Sequence, residues 1–106
     1  MSSDLWLQID DLSNGPTLVG LVEEAVVGRD LRCDVVIHDD EASRVHARLT
    51  PRTDAWVIVD LATTNGTFVN AQRIVGPAVL VIGDTIRIGR VSCSVVAPPV
   101  TKNNTT

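Results

Sequence analysis

Short apolar runs separated by turn residues follow one another along most of the chain. Within the runs, Val, Ile and Leu alternate with polar residues, and Gly, Pro, Asn and Asp punctuate the intervals. Such period-two alternation is typical of half-buried strands. The pattern predicts strands at residues 5–9, 17–22, 25–28, 34–37, 46–50, 55–60, 67–70, 73–75, 78–82, 85–89 and 91–97.

The spacing of these runs predicts an all-β fold. No window shows a sustained apolar period of about 3.6 residues, so we expect no substantial helix. About eleven short strands with frequent turns are typical of an antiparallel β-sandwich. Residues 1–98 would form this single domain, and the polar residues 99–106 would form a flexible C-terminal tail.

Composition agrees with a sheet-rich core. Hydrophobic residues make up 44% of the chain but aromatic residues only 3%, so branched aliphatic side chains must fill the core. No apolar run approaches the ~18 residues of a membrane-spanning helix, and the acidic N-terminal segment is unlike a signal peptide. We expect a soluble cytoplasmic protein that does not bind membranes.

The distribution of charge distinguishes between classes of partner. A net charge of −4 is unlike the basic surface that nucleic acids need, so no nucleic-acid partner is expected. Five of the nine basic residues nevertheless fall between positions 28 and 52, and all five are arginine. The planar guanidinium fork suits carboxylate or phosphate. From composition alone, however, these arginines are more simply explained as solvated residues on strands.

Ser43 and His46 raise the alternative of a hydrolase. Nucleophilic catalysis needs the histidine within hydrogen-bond reach of the serine hydroxyl, a group that orients the histidine, and an oxyanion site. On an extended strand these two side chains would point to opposite faces, and the chain has no G-x-S-x-G elbow. We therefore predict no catalytic residues and no enzyme activity.

Metal and disulfide chemistry are also disfavoured. The acidic stretch 38–41 has hard ligands but lacks the glycine-punctuated loop of a calcium site, which favours a solvated turn. Cys33 and Cys93 are too few and too far apart for a zinc site or a redox pair. Two buried thiols are expected rather than a disulfide. We predict no metal and no cofactor.

Three loops between predicted strands, at residues 28–34, 38–45 and 61–66, carry groups that suit a phosphate. A dianionic phosphate is bound by an arginine fork, hydroxyl groups and rigid backbone N–H groups. If the loops converge at one end of a sandwich, they can surround one anion. The candidate groups belong to Gly28, Arg29, Ser43, Arg44, Thr63, Thr64, Asn65 and Gly66.

Four short motifs follow one another along the chain: GR at 28–29, SxxH at 43–46, TNG at 64–66 and GDTIRIG at 83–89. In their order and spacing they resemble the motifs of the forkhead-associated (FHA) domain, a phosphothreonine-binding module, and the likeness extends from about Val26 to Val96. The resemblance implies an eleven-stranded β-sandwich that recognises phosphothreonine peptides, without catalysis, in Ser/Thr kinase signalling. The implied partner is a phosphothreonine-containing protein, such as a Ser/Thr kinase or its substrate.

The resemblance also implies roles for individual residues. Arg29 would bind the phosphate, Ser43 would donate its hydroxyl to a phosphate oxygen, and Arg44 would add a backbone or side-chain contact. Thr64 would lie at the phosphothreonine pocket. Asn65 would hydrogen-bond the peptide backbone beside the phosphorylated residue and so fix the register of the ligand.

Other residues would shape the site without touching the ligand. Gly28 would let the backbone pass closely, and His46 would brace the loops that present Ser43 and the TNG turn, which Gly66 completes. The chain departs from the family pattern at Asn70-Ala71, where relatives often have Asn-Gly. Alanine tolerates a left-handed conformation worse than glycine, so this turn is expected to differ locally.

Ligand specificity and one alternative function stay open at this level. FHA domains typically discriminate at the third residue after the phosphothreonine, through the loop before the SxxH serine, and residues 39–42 of that loop hold three carboxylates. An acidic ligand residue should therefore not be favoured there, unless Arg44 or Arg48 neutralises the loop. The alternative function is an FHA-like scaffold that binds an unphosphorylated protein through a sheet face or edge.

Overall fold

The computed structural model describes residues 4–11 and 15–100, which form eleven strands in two sheets. The six-stranded sheet has the order β2-β1-β11-β10-β7-β8, and the five-stranded sheet has the order β4-β3-β5-β6-β9. The predicted all-β sandwich is confirmed, and no part of these two ranges forms a helix that could cross a membrane. The strands are β1 Leu5–Asp11, β2 Gly15–Leu21, β3 Ala25–Gly28, β4 Val35–Val36, β5 Ala47–Pro51, β6 Trp56–Asp60, β7 Thr67–Val69, β8 Gln72–Arg73, β9 Ala78–Leu80, β10 Thr85–Ile88 and β11 Val91–Val96.

The core lies between the two sheets and follows from the alternation in the sequence. Along β1, buried Leu5, Leu7 and Ile9 alternate with more exposed residues, and β11 repeats this pattern. A slip of one residue would turn all of these side chains to solvent, so their burial fixes the register of each strand. The facing sheet contributes Val27, Ala47, Leu49, Trp56, Ile58 and Leu80.

Strand bounds differ from the predicted ones where turn geometry sets the pairing. The predicted strand 73–75 is observed as Gln72–Arg73, because the preceding turn pairs Val69 with Gln72. At the C-terminal end, β11 ends at Val96. Residues 101–106 of the predicted tail lie outside the described residues, so the boundary at residue 98 stays a prediction.

The five-stranded sheet is mixed, whereas a wholly antiparallel sandwich was predicted. β4 has only two residues and runs parallel to β3. The N–H of Asp34 donates to the carbonyl of Val26 at 2.9 Å, and the N–H of Ile37 donates to the carbonyl of Gly28 at 2.8 Å. These bonds hold the returning chain alongside β3, a tertiary effect that hydrophobic alternation does not encode.

The two cysteines have different environments, and no disulfide joins them. Cys93 on β11 is buried, and burial raises the pKa of its thiol to about 12. Cys33 is only half-buried, and its thiol donates to the carbonyl of Arg44 at 3.2 Å. The expectation of two buried thiols is therefore correct for Cys93 and wrong for Cys33, which lies in a loop rather than a strand.

The β7–β8 turn places both of its central residues in the left-handed region, with φ of 51° at Asn70 and 71° at Ala71. The Asn70 side chain is held by Asp84, 2.8 Å away, and by the N–H of Thr85, 3.0 Å away. Asparagine adopts this conformation readily, but alanine pays roughly 1–2 kcal/mol relative to glycine. The strain of the turn therefore rests on Ala71.

Ala71→Gly is expected to raise the free energy of unfolding by about 0.5–1 kcal/mol, because the relief of strain exceeds the extra entropy that glycine gives the unfolded chain. Urea denaturation measures the change. Ala55→Gly, at a position whose φ is not positive, is the matched control and should lower stability. A loss of stability in both variants would contradict this account of the turn.

Candidate functional site

The Arg29 guanidinium is anchored by the neighbouring loop. Its Nε donates to the carbonyl of Ala42 at 3.0 Å, and its backbone N–H donates to the carbonyl of Ser43 at 3.0 Å. The terminal nitrogens Nη1 and Nη2 make no hydrogen bond or ion pair with any described residue. Arg29 therefore presents a positioned pair of donors on an exposed surface.

Gly28 permits this close approach of the two loops. A Cβ atom at position 28 would collide with the carbonyl group of Arg44. The same carbonyl accepts the N–H of Asp30 at 3.1 Å and the thiol of Cys33 at 3.2 Å. Lack of space therefore requires glycine here, and the GR motif is fixed against the loop that carries Ser43.

His46 is fully buried and links two of the loops. Its Nδ1 accepts the N–H of Ser43 at 2.9 Å, and its Nε2 lies 2.9 Å from the carbonyl oxygen of Gly66. A backbone N–H can only donate, so Nδ1 carries no proton and Nε2–H donates to Gly66. In this tautomer the imidazole ties the SxxH loop to the TNG turn.

The Ser43 hydroxyl is not paired with a base. Both ring nitrogens of His46 are engaged by backbone groups, and the hydroxyl makes no hydrogen bond to a residue within the described ranges. A serine nucleophile needs a base within hydrogen-bond distance of its hydroxyl. This geometry suits a hydrogen-bond donor to a ligand.

Asp60, at the end of β6, organises the third loop. Its Oδ1 accepts the hydroxyls of Thr63 and Thr67, both at 2.7 Å, and its Oδ2 accepts the N–H of Thr63 at 3.0 Å. Burial acts to raise the pKa of Asp60, but these hydrogen bonds to the carboxylate outweigh it and hold the pKa below its ordinary value. The Thr63 hydroxyl accepts the N–H of Gly66 at 2.9 Å and closes the turn.

Thr64, Asn65 and Arg44 are exposed at the same end of the sandwich. The Asn65 Nδ2 donates to the carbonyl of Glu41 at 2.9 Å and joins the third loop to the acidic loop, 39–42. The side chains of Thr64 and Arg44 make no hydrogen bond in the part of the chain that the structure describes. Asn65 therefore has a contact within the protein that the sequence did not predict.

Arg90, in the turn between β10 and β11, forms ion pairs with two of the three carboxylates of the acidic loop. Its Nη2 lies 2.6 Å from Oδ1 of Asp39, its backbone N–H donates to Oδ2 at 3.0 Å, and its Nε lies 3.9 Å from Glu41. Burial acts to raise the pKa of Asp39, but the bonds from Arg90 prevail and lower it. Asp39 is therefore a paired structural anion.

Neutralisation of the acidic loop by Arg44 or Arg48, the exception that the sequence left open, is not observed among the described residues. Arg48 lies 3.8 Å from Glu24, and Arg44 makes no ion pair among the described residues. Arg90 replaces them because the β10–β11 turn meets the acidic loop, 51 positions earlier in the chain. Within residues 4–11 and 15–100, no group of three His, Cys, Asp or Glu residues is arranged to hold a metal, the stretch 38–41 included.

Arg73 is a second arginine at this end that sequence reasoning missed. Its Nη2 lies 3.4 Å from the carbonyl oxygen of Thr63 and 3.3 Å from that of Thr64. Like Arg90, it acts through tertiary contacts, so no short sequence motif indicates its role. The Asp60–Thr63 pair, in contrast, has the short spacing of side-chain-to-backbone turns and could have been predicted.

The chain is similar to known proteins over most of its length. The sequence model of the FHA domain matches residues 25–89. The FHA domain-containing protein FhaB of Mycolicibacterium smegmatis is 35% identical over 79 residues, which cover 74% of this chain and 46% of FhaB. The chain thus spans about half the length of the first curated relatives that it matches.

Solved structures share the architecture. An FHA domain studied for phosphothreonine-dependent interactions superposes with a TM-score of 0.80 at 29% identity, over 92% of this chain and 100% of that one. The FhaA FHA domain, complexed with the intracellular domain of Rv3910, gives a TM-score of 0.75 at 32% identity, over 86% of this chain and 98% of that one. Since the sequence match covers more than half of the chain and the folds superpose over nearly all of it, the chain belongs to the forkhead-associated domain family, whose known role is to bind phosphothreonine.

Proposed function

We propose that this chain is a non-catalytic, cytoplasmic reader of phosphothreonine peptides in Ser/Thr kinase signalling. The observation that carries the proposal is the Arg29 guanidinium, anchored through Nε with both Nη groups unpaired among the described residues, on a loop bonded to that of Ser43. A dianionic phosphate needs such charge-assisted donors.

The ligand would lie across all three loops. The Arg29 fork and the Ser43 hydroxyl would bind phosphate oxygens, with Arg44 adding a further donor. Thr64 would border the threonine methyl group, and Asn65 would bind the adjacent peptide backbone. The complex of FhaA with the intracellular domain of Rv3910 supports a protein partner, and the complex of Mycobacterium tuberculosis EmbR with a low-affinity phosphopeptide supports a phosphorylated one.

A phosphothreonine peptide selected from a degenerate library should bind, whereas its phosphatase-treated form should not. The affinity for phosphothreonine should also exceed that for phosphoserine in the same peptide. Burying one methyl group contributes about 0.8 kcal/mol, or roughly fourfold in affinity. Calorimetry with the three forms of the peptide measures both differences. Equal affinity for the phosphorylated and dephosphorylated forms would contradict the proposal.

The acidic loop should disfavour acid at the third ligand residue after the phosphothreonine. Lys there should bind as well as Asp or better, because the exposed Glu41 side chain leaves a carboxylate on the loop. The gain should not exceed ~1 kcal/mol, because Asp39 is already paired with Arg90. Arg90→Ala should increase the preference for Lys. A preference for Asp that disappears in Arg90→Ala would show instead that Arg90 selects an acidic ligand residue.

A further inference from the structure

Arg73 packs against the middle of the third loop. It lies on β8 opposite Phe68 of β7, and its Nη2 approaches the carbonyl oxygens of Thr63 and Thr64 at 3.4 and 3.3 Å. A Cβ atom at position 66 would lie 2.5 Å from the Arg73 Nε. The φ of 84° favours glycine at position 66, and any other side chain there would also displace Arg73 from the turn.

The two carbonyl contacts set the direction of the next two N–H groups. In a trans peptide unit the carbonyl and the following N–H point in opposite directions. With the Thr63 and Thr64 oxygens directed at Arg73, the N–H groups of Thr64 and Asn65 are directed away from it. Neither N–H donates a hydrogen bond to any residue in the described ranges.

Consecutive N–H groups that face the same way form a concavity that attracts anions. We propose that Arg73 is a positioning residue of the phosphopeptide site, which holds the Thr63 and Thr64 carbonyls so that the N–H groups of Thr64 and Asn65 are presented to the anionic ligand. This inference rests on the proposed function. It adds two backbone donors to the ligand-binding groups that the sequence motifs predict, and one arginine that positions these donors.

The ends of the loop are secured without Arg73. Asp60 holds the N–H and hydroxyl of Thr63, and Gly66 is held by that hydroxyl and by His46. Loss of Arg73 would therefore leave the turn folded but free the two middle peptide units to rotate. A rotated unit would present a carbonyl oxygen to the phosphate, and the like partial charges would oppose binding.

Binding of one phosphothreonine peptide to wild type, Arg73→Ala, Arg73→Lys and Arg52→Ala tests this role. Arg52 is exposed at the opposite end of the sandwich, in the β5–β6 turn, and controls for the loss of one positive charge. Arg73→Ala should weaken binding by about three- to tenfold, the scale of a solvent-screened charged hydrogen bond, while Arg52→Ala should bind like wild type. Arg73→Lys, with a single point charge, should be intermediate.

Amide NMR separates positioning from a general structural role. In wild type the peptide should shift the Thr64 and Asn65 amide protons downfield; in Arg73→Ala this shift should be lost while the responses of Ser43 and Arg44 persist. Wild-type affinity and unchanged Thr64 and Asn65 shifts in Arg73→Ala would overturn the inference. If Arg73→Ala unfolds, the affinity and the Thr64 and Asn65 shifts of Arg73→Lys are compared with those of wild type instead. If wild type binds no phosphothreonine peptide, the proposed function itself fails.

Discussion

Arg29→Ala is expected to weaken binding of a phosphothreonine peptide by about tenfold to a hundredfold or more, because a charge-assisted fork on a phosphate contributes roughly 1.5–3 kcal/mol. The fold should survive, since only the Nε bond to Ala42 is lost from the side chain of an exposed residue. Calorimetry on the folded variant measures the effect.

Arg29→Lys and Arg48→Ala serve as comparison variants for this measurement. Arg29→Lys should restore only part of the affinity, because an ammonium cannot reproduce a bidentate contact. Arg48→Ala removes an exposed arginine from the same sheet and should bind like wild type, since the side chain of Arg48 forms an ion pair only with Glu24 among the described residues. Unchanged affinity in Arg29→Ala would show that Arg29 does not bind the phosphate.

His46→Ala is expected to lower the free energy of unfolding by about 3–5 kcal/mol, through a cavity and two backbone groups left without partners. His46 is fully buried, and both of its ring nitrogens bind backbone groups, the N–H of Ser43 and the carbonyl of Gly66. Chemical denaturation followed by tryptophan fluorescence measures the loss. A change below about 1 kcal/mol would contradict the bracing role.

Replacing His46 with Asn or with Gln tests the two contacts of its imidazole separately. The Asn side chain can place an oxygen near the Nδ1 position, and the longer Gln side chain can place an N–H near the Nε2 position. His46→Asn should therefore preserve the Ser43 loop better than the TNG turn, and His46→Gln should do the reverse. Hydrogen exchange of the Ser43 amide would report on the contact of the Ser43 loop. Exchange of the Thr67 amide, which follows Gly66 in the chain, would report on the contact of the TNG turn.

The fold was largely predictable because its information is local. Alternate residues such as Leu5, Leu7 and Ile9 are apolar along the strands, and one buried face per strand requires this pattern. The parallel β3–β4 pair was not predictable, because hydrogen bonds between Asp34 and Val26 and between Ile37 and Gly28, rather than a hydrophobic pattern, create it.

The candidate site was predictable only as far as its motifs extend. Arg29, Ser43 and Asn65 stand within short signatures, and so does His46, which links two of their loops, whereas Arg73 and Arg90 do not. Arg90 contacts a loop 51 positions away, and Arg73 reaches the TNG turn across the β7–β8 hairpin. Such long-range polar contacts depend on how loops meet after folding, and no periodicity encodes them.

The proposal that this chain reads phosphothreonine is tested most directly by an NMR titration with one phosphothreonine peptide and its dephosphorylated form. The account predicts shifts at the amides of Ser43, Arg44, Thr64 and Asn65 and at the side-chain Nε of Arg29, with none from the dephosphorylated peptide. Shifts on a sheet face or along the edge strand β2 that persist without the phosphate would contradict it and would support the alternative of an FHA-like scaffold for an unphosphorylated partner.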